Sequence, residues 1–303
     1  MESMETVEDT AESSRQRLRE LVPGHGPVLV LGAPGTGKST ALLDVVVRRL
    51  AAGHRPEHLL AIAPSRSAAA DLRDRLSAAT DTTFSEPAVR TWAAYAFDLI
   101  RRARLLGYLP AVERPPRRVT RPQQGPRDAP LLAGHADGIT AGPAWPESLG
   151  EAIGTRGFRK EIRELFDRLA EYGVEAGDLE ELGERCLRPE WTASAALYQE
   201  YRDLLDLGSS EAFDPAGLIT AAADLLEDHE ELLEEECQRL SLIVVDDLQE
   251  ANPAQHRLLR LLAAGRDLLA FAAPDNAVLG FRGARPDLLG RCEGDYGTDR
   301  NPA

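Results

Sequence analysis

The segment Pro27-Val28-Leu29-Val30-Leu31 runs directly into Gly32-Ala33-Pro34-Gly35-Thr36-Gly37-Lys38-Ser39-Thr40, and nothing else in the chain limits the fold so tightly. A short, uninterrupted apolar run reads as a strand buried on both faces, which points to a parallel sheet. Gly32 to Ser39 fits G-x-x-x-x-G-K-[ST]. In that pattern glycines let backbone N–H groups wrap phosphate oxygens, the lysine neutralises the outer ones and the serine hydroxyl serves Mg²⁺. Behind it Leu42, Leu43, Val46, Val47 and Leu50 recur on one face of a helix expected over about 39–52, with Gly53 as its stop. Strand, glycine loop and amphipathic helix in that order turn the motif into a nucleotide site formed by Gly32 to Thr40. A structural glycine turn is the alternative for the octapeptide taken alone. Lys38 and Lys160 are the only lysines among 35 basic residues, so Lys38 is no habit of composition. A compact ammonium fits between phosphates where a planar guanidinium does not.

Leu59 to Ala63 reads as a second buried strand and Ala68 to Ala79 as a second helix, the β-α-β-α opening of a doubly wound α/β sheet. From Pro110 to Trp145 prolines and glycines break any regular element. Helical periodicity returns at Phe158, Ile162, Leu165, Phe166 and Leu169, again around Ala195 to Leu205 and from Leu218 to Leu233, with no strand signal between. Leu240 to Val245 reads as a third buried strand and Leu268 to Ala273 as a fourth. The expected fold class is therefore α/β, a P-loop parallel sheet with helices on both faces, interrupted by an all-helical insertion. Its parts are an acidic leader at 1–20, the first part of the sheet domain at 21–110, the insertion at 111–211, the second part at 212–292 and a frayed end at 293–303.

The third strand ends in Asp246-Asp247, with Gln249 two residues on. Paired carboxylates at a strand end are the arrangement that holds Mg²⁺ through one acid, Asp246 with Ser39, and aligns water with the other, Asp247. The competing reading is an Asp-Asp turn capping a helix that starts near Asn252-Pro253. Lys38 and Asp246 lie 208 residues apart, whereas a compact kinase or GTPase brings both motifs into one small domain.

A net charge of −15 argues against a protein that coats nucleic acid non-specifically, because phosphate neutralisation needs clustered cations. Any DNA contact is expected to be local. Nine arginines against two acids between Arg90 and Arg127 form such a basic band, and Glu227 to Glu236 carries seven acids and no cation. Cys186, Cys237 and Cys292 lack the spacing of a zinc site or a disulfide framework. No apolar run approaches the roughly 18 residues of a membrane span, and the leader, with Glu2, Glu5, Glu8, Asp9 and Glu12, is acidic where a signal peptide is basic. The expectation is a cytoplasmic protein without membrane contact.

These segments together resemble the UvrD/Rep-like superfamily 1 DNA helicases, and within them a motor subunit of the AdnAB-like bacterial helicase–nucleases. Gln16 resembles the family's adenine-reading glutamine. Ala63-Pro64-Ser65-Arg66-Ser67-Ala68-Ala69-Ala70 is similar to its strand-to-helix DNA motif, and Val89-Arg90-Thr91-Trp92-Ala93 to its Thr-Phe-His segment. Val244 to Glu250 resembles the Asp-Glu-x-Gln-Asp box, and Asp275-Asn276-Ala277-Val278-Leu279-Gly280-Phe281-Arg282-Gly283-Ala284 the Asp-Gln-Ser-Ile-Tyr-x-Trp-Arg-Gly-Ala motif. The resemblance implies a RecA-like domain 1A with insertion 1B, ATP and Mg²⁺ as cofactors, and single-stranded DNA as partner, with a second motor or nuclease subunit beside it. By the same resemblance Lys38, Asp247, Gln249 and Arg282 are catalytic. Ser65, Arg66, Thr91, Trp92 and Phe281 meet DNA, Phe281 by stacking on a base.

The departures are specific. The family's catalytic Glu is Asp247, its sensor Gln is Asn276, Thr91-Trp92-Ala93 lacks its His, and Ala272-Ala273-Pro274 replaces its Gly-Asp lead-in. The chain also ends at Ala303, where the family continues into a second RecA-like domain, so the expectation is a truncated or split motor. Two other readings compete: a degenerate subunit whose ATP site serves assembly or DNA gripping, and a P-loop kinase of a small molecule.

Overall fold

A computed structural model describes residues 16, 24, 26–80, 88–109, 117–118, 143–207, 212–213, 215–280, 283–291 and 296. The described chain divides into two compact units, one drawn from Met1–Trp92, Glu230–Ala251 and Leu259–Ala303, the other from Ala93–His229 and Asn252–Leu258.

The first unit is built on strands β1 (Pro27–Leu31), β2 (Leu59–Ala63), β3 (Val89–Thr91), β6 (Leu242–Val245) and β7 (Asp267–Ala272). They pair in the order β1-β7-β6-β2-β3, and every pairing is parallel. Leu31 lies opposite Ala272 and Val245 opposite Ala270, so the carboxyl ends of these strands share one edge. Because β2, β6 and β7 are buried along their whole length, they read as unbroken apolar runs rather than alternating ones. Leu59, Ala61, Ala63, Leu242, Val244, Leu269 and Phe271 pack with helices α1 (Lys38–Ala51) and α2 (Arg66–Ala79) through Leu42, Val45, Val46, Leu72 and Leu76.

The α1 face is rotated from the expected one, sharing only Leu42 and Val46 as fully buried residues. Ala41, Leu42, Val45, Val46 and Arg49 are its buried residues, with Leu43, Val47 and Leu50 only partly covered. An arginine sits on the core face because Asp267, the first residue of β7, meets it there at 3.0 Å, the two side chains being 8% and 3% exposed. The same carboxylate accepts from the backbone N–H of Gly24 (2.8 Å) and Gly26 (3.0 Å), so one buried acid ties the approach to β1, helix α1 and β7 together.

The second unit carries α3 from its second residue (Trp92–Leu106 in all), α4 (Arg156–Tyr172), α5 (Ala176–Arg185), α6 (Pro189–Leu207) and α7 (Pro215–Asp228). Phe158, Ile162, Phe166, Leu169, Leu179, Leu197, Tyr198 and Tyr201 form its core. Phe166 lies 4.9 Å and 5.2 Å from the rings of Tyr198 and Tyr201. The insertion is not all-helical: Arg117–Arg118 (β4) and Ala212–Phe213 (β5) form a short parallel pair, too brief to leave a periodic signal. The periodic stretch expected from 218 to 233 is two helices, α7 and α8 (Glu230–Arg239). The boundaries of the helical unit also differ from the expected 111 and 211, since it takes in 93–110 and 212–229. The leader outside Gln16, most of the Pro110 to Trp145 stretch and the last residues other than Tyr296 lie outside the described residues. No helix among the described residues is long and apolar enough to cross a membrane.

Glu171, near the end of α4, gives this unit a pH dependence. Burial pushes its carboxyl from 4.5 to about 7, against the pull of the Arg168 guanidinium it pairs with and helped by the nearby Asp167. A pKa raised on folding contributes stability that is complete below the unfolded value and is lost as pH rises through the folded one. Glu171→Gln is therefore expected to flatten the decline in melting temperature between pH 5 and pH 8, compared with the parent chain by circular dichroism; an unchanged decline rules Glu171 out as its source.

Candidate nucleotide-binding site

The glycine loop leaves β1 at the carboxyl edge of the sheet, where Gly32 N–H donates to Ala272 O (3.0 Å). Gly35 and Gly37 have φ of 81° and 87°, a left-handed backbone that side chains resist. A Cβ on Gly32 would stand 2.8 Å from the Thr36 hydroxyl, so this turn tolerates no larger residue without a shift. Lys38 opens α1 and donates its ammonium to Gly32 O (2.8 Å) and Ala33 O (2.9 Å), while the Thr36 hydroxyl donates to Ala33 O (2.8 Å). Ala33, Pro34, Gly35 and Thr36 are exposed. The cation is thus held at the mouth of a loop of accessible backbone, beside the positive end of a 14-residue helix, where phosphate oxygens are favoured.

The Ser39 hydroxyl donates to Oδ2 of Asp246 at 2.8 Å, joining two residues 207 apart in the chain. Asp246 is 5% exposed, and its Oδ1 is buried without a hydrogen-bond partner. Burial raises its pKa most, with Asp247 adding to the rise and the Ser39 hydrogen bond opposing it. A buried carboxylate oxygen with no donor, next to a hydroxyl and under a phosphate-type loop, fits a hard cation that takes one or two protein oxygens and keeps several waters. Ser39 and Asp246 are thus brought together as expected.

The helix-cap alternative for the acidic pair fails on geometry. Helix α9 (Pro253–Ala263) is capped by Asn252, whose Oδ1 accepts from Gln255 N–H (3.0 Å) while Gln255 Oε1 accepts from Asn252 N–H (3.0 Å), a reciprocal capping box. Asp247 has no side-chain cap bond; it stands at φ 50°, ψ 49°, left-handed. Gln249, 2% exposed, donates from Nε2 to Asp247 Oδ1 (3.1 Å) and accepts from Ala273 N–H at Oε1 (2.9 Å). Asp247 is half-buried and Gln249 fixes its carboxylate.

The remaining expected residues divide. Thr40 is exposed, and its hydroxyl accepts from Arg75 on α2 (3.1 Å). Ser65 caps α2 by accepting from Ala68 N–H (3.1 Å), and Arg66 is exposed beside it at the same sheet edge, after β2. Thr91 ends β3 half-buried, whereas Trp92 is 5% exposed and offers no face to a ligand in this conformation, contrary to the expected DNA contact. Gln16 is helical and exposed. Asn276 is exposed in a short turn after β7. Phe281 and Arg282 lie outside the described residues. Sequence reading passed over Asp267, although an acid opening an otherwise apolar strand was a visible signal, and gave Glu250 no role of its own.

The profile of the UvrD/REP helicase N-terminal domain matches residues 13–297. The chain is similar to the ATP-dependent DNA helicase UvrD2 of Mycobacterium tuberculosis, 28% identical over 295 residues, covering 91% of this chain and 38% of that protein. It is similar to the ATP-dependent DNA helicase PcrA of Staphylococcus aureus, 33% identical over 103 residues, 34% of this chain and 14% of that one. It is similar too to one subunit of an ATP-dependent helicase/nuclease of Lactococcus lactis, 28% identical over 103 residues, again 34% of this chain and 9% of the other. The chain thus spans well under half the length of these relatives.

Proposed function

Since the chain belongs to the UvrD/REP helicase N-terminal domain family, we propose that it is the Mg-ATP-binding motor half of a superfamily 1 DNA helicase, working on single-stranded DNA. The observation that carries this reading is the pairing of Ser39 with Asp246 beneath the glycine loop, with one carboxylate oxygen left for a cation. Lys38 and the loop amides bind the phosphates, Ser39 and Asp246 hold Mg²⁺, and Asp247 accepts the proton of the attacking water. Mg²⁺ supplies charge neutralisation at the phosphates when bound. Gln249 keeps Asp247 in place from the β7 side. Arg66 and Thr91, and Phe281 by resemblance, form the DNA face, and Arg282 joins it to the nucleotide. The partial match to a helicase/nuclease of Lactococcus lactis supports an AdnAB-like assembly, in which the partner is a second motor or a nuclease.

Lys38→Ala is expected to weaken binding of a fluorescent ATP analogue at least tenfold, because a charge-assisted contact to phosphate contributes more than one tenfold step. Fluorescence titration of the purified chain, with and without Mg²⁺, measures it. Unchanged affinity in the variant sinks the reading.

A further inference from the structure

We propose that Glu250 is a positioning residue that sets the loop Ala277–Gly280 from the nucleotide side of the sheet, so that occupancy at Lys38, Ser39 and Asp246 moves the segment leading into Phe281 and Arg282. The inference rests on the nucleotide-binding reading above, and gives Glu250, the last residue of the Val244–Glu250 box, a role that the resemblance did not assign to it.

The Glu250 carboxylate is a two-point clamp. Its Oε1 accepts from the backbone N–H of Val278 (2.8 Å) and its Oε2 from that of Leu279 (2.8 Å). Both bonds are charge-assisted and reach backbone, so they fix the path of the loop whatever its side chains are. Val278 is 65% exposed, and the loop's other backbone bonds there, Ala284 N–H to Leu279 O (3.2 Å) and Gly283 N–H to Gly280 O (3.1 Å), run within the segment itself. On either side of the clamp the same short stretch holds the loop's two ends, Gln249 at Ala273 N–H (2.9 Å) and Ala251 O at Arg285 N–H (3.0 Å). Three successive residues thus grip the span from 273 to 285 at its start, middle and end.

Those three residues follow Asp246 and Asp247 with only Leu248 between. Leu248 (0% exposed) and Gln249 (2% exposed) seat the single turn Leu248–Glu250 in the interior, so it moves as a rigid piece if it moves at all. Asp247 is the joint, because its left-handed backbone at φ 50° and ψ 49° lies between the cation-side acid and that turn. Placing a cation on the donor-less Oδ1 of Asp246 changes the charge on one side of the joint, and the carboxylate clamp is what the other side presents to the loop.

The test is amide hydrogen exchange of the segment 274–285 in the whole chain, with and without Mg²⁺ and a non-hydrolysable ATP analogue. In the parent, exchange at Val278 and Leu279 is expected to change on nucleotide binding. In Glu250→Ala those amides are expected to exchange at least about tenfold faster, as for lost bonds to a charged acceptor, and to ignore nucleotide while its affinity stays at the parent value. Glu250→Gln, which keeps one acceptor oxygen, is expected to fall between. A variant whose loop still responds to nucleotide as the parent does makes Glu250 a static brace and overturns the proposal. So does a parent loop that binds nucleotide without responding. A parent that binds no nucleotide overturns the functional reading and this proposal with it, which a titration on the same sample separates from the other outcomes.

Discussion

Asp267→Ala is expected to destabilise the sheet unit by about 3–5 kcal/mol, the cost of stranding one member of a buried ion pair. Removal of this carboxylate leaves the Arg49 guanidinium, 8% exposed, without its counter-charge, and leaves the Gly24 and Gly26 amides without their acceptor. The guanidinium and the Gly26 amide are buried, so water does not replace the acid there. The double variant Arg49→Met, Asp267→Ala is expected to be less damaged than the sum of its two single changes, since it removes the stranded charge and leaves only the two amides. Urea unfolding followed by fluorescence measures all three. The consequence should reach the site, because the clamp fixes the start of β1 and the inner face of α1, the two elements that flank the glycine loop. ATP affinity is expected to fall along with stability in Asp267→Ala. A loss below about 1 kcal/mol, as for an exposed pair, would falsify the assignment of this contact as a buried clamp.

Asp267 also marks where reading from sequence stopped. Strands β2, β6 and β7 were legible because burial on both faces leaves continuous apolar runs. Strand β1 was legible as an equally apolar run, although the structure places it at the sheet edge and only partly buried rather than covered on both faces as expected. The glycine loop was legible because its spacing is local. The P-loop, Ser39, Asp246 and Gln249 fell where those runs end. What stayed illegible is of two kinds. Strand β3 is three residues long with Arg90 in its middle, so neither alternation nor an apolar run marks it, and β4 and β5 have two residues each. The break between α7 and α8 falls at His229, with no proline or glycine to announce it. The second kind is long-range pairing. Arg49 meets Asp267 across 218 residues and Glu250 meets Leu279 across 29, and no local pattern encodes either. Trp92, expected by resemblance to meet DNA, is 5% exposed, and a motif match carries no signal of burial.

The shortened acid decides between a working motor and a non-hydrolysing one. Asp247→Glu is expected to raise ATP turnover of the chain in the presence of single-stranded DNA by up to ~100-fold, the penalty associated with a base displaced by about 1 Å from its water. The same change is expected to cost about 1 kcal/mol of stability, because residue 247 is left-handed at φ 50°, a conformation that Asp and Asn tolerate better than longer side chains. The backbone thus supplies its own reason for an aspartate, independent of catalysis. Two further variants separate the causes. Asp247→Asn keeps the left-handed preference and an oxygen for Gln249 Nε2, now 3.1 Å from the carboxylate, but removes the base; turnover is expected to drop to the level of Lys38→Ala. Asp247→Gly relieves the backbone and is expected to melt higher while also losing turnover. If the parent, Asp247→Asn and Asp247→Glu all turn over ATP no faster than Lys38→Ala, the aspartate is there for its backbone alone. The site then binds nucleotide without cleaving it, and the chain acts as the gripping, structural half of a paired motor.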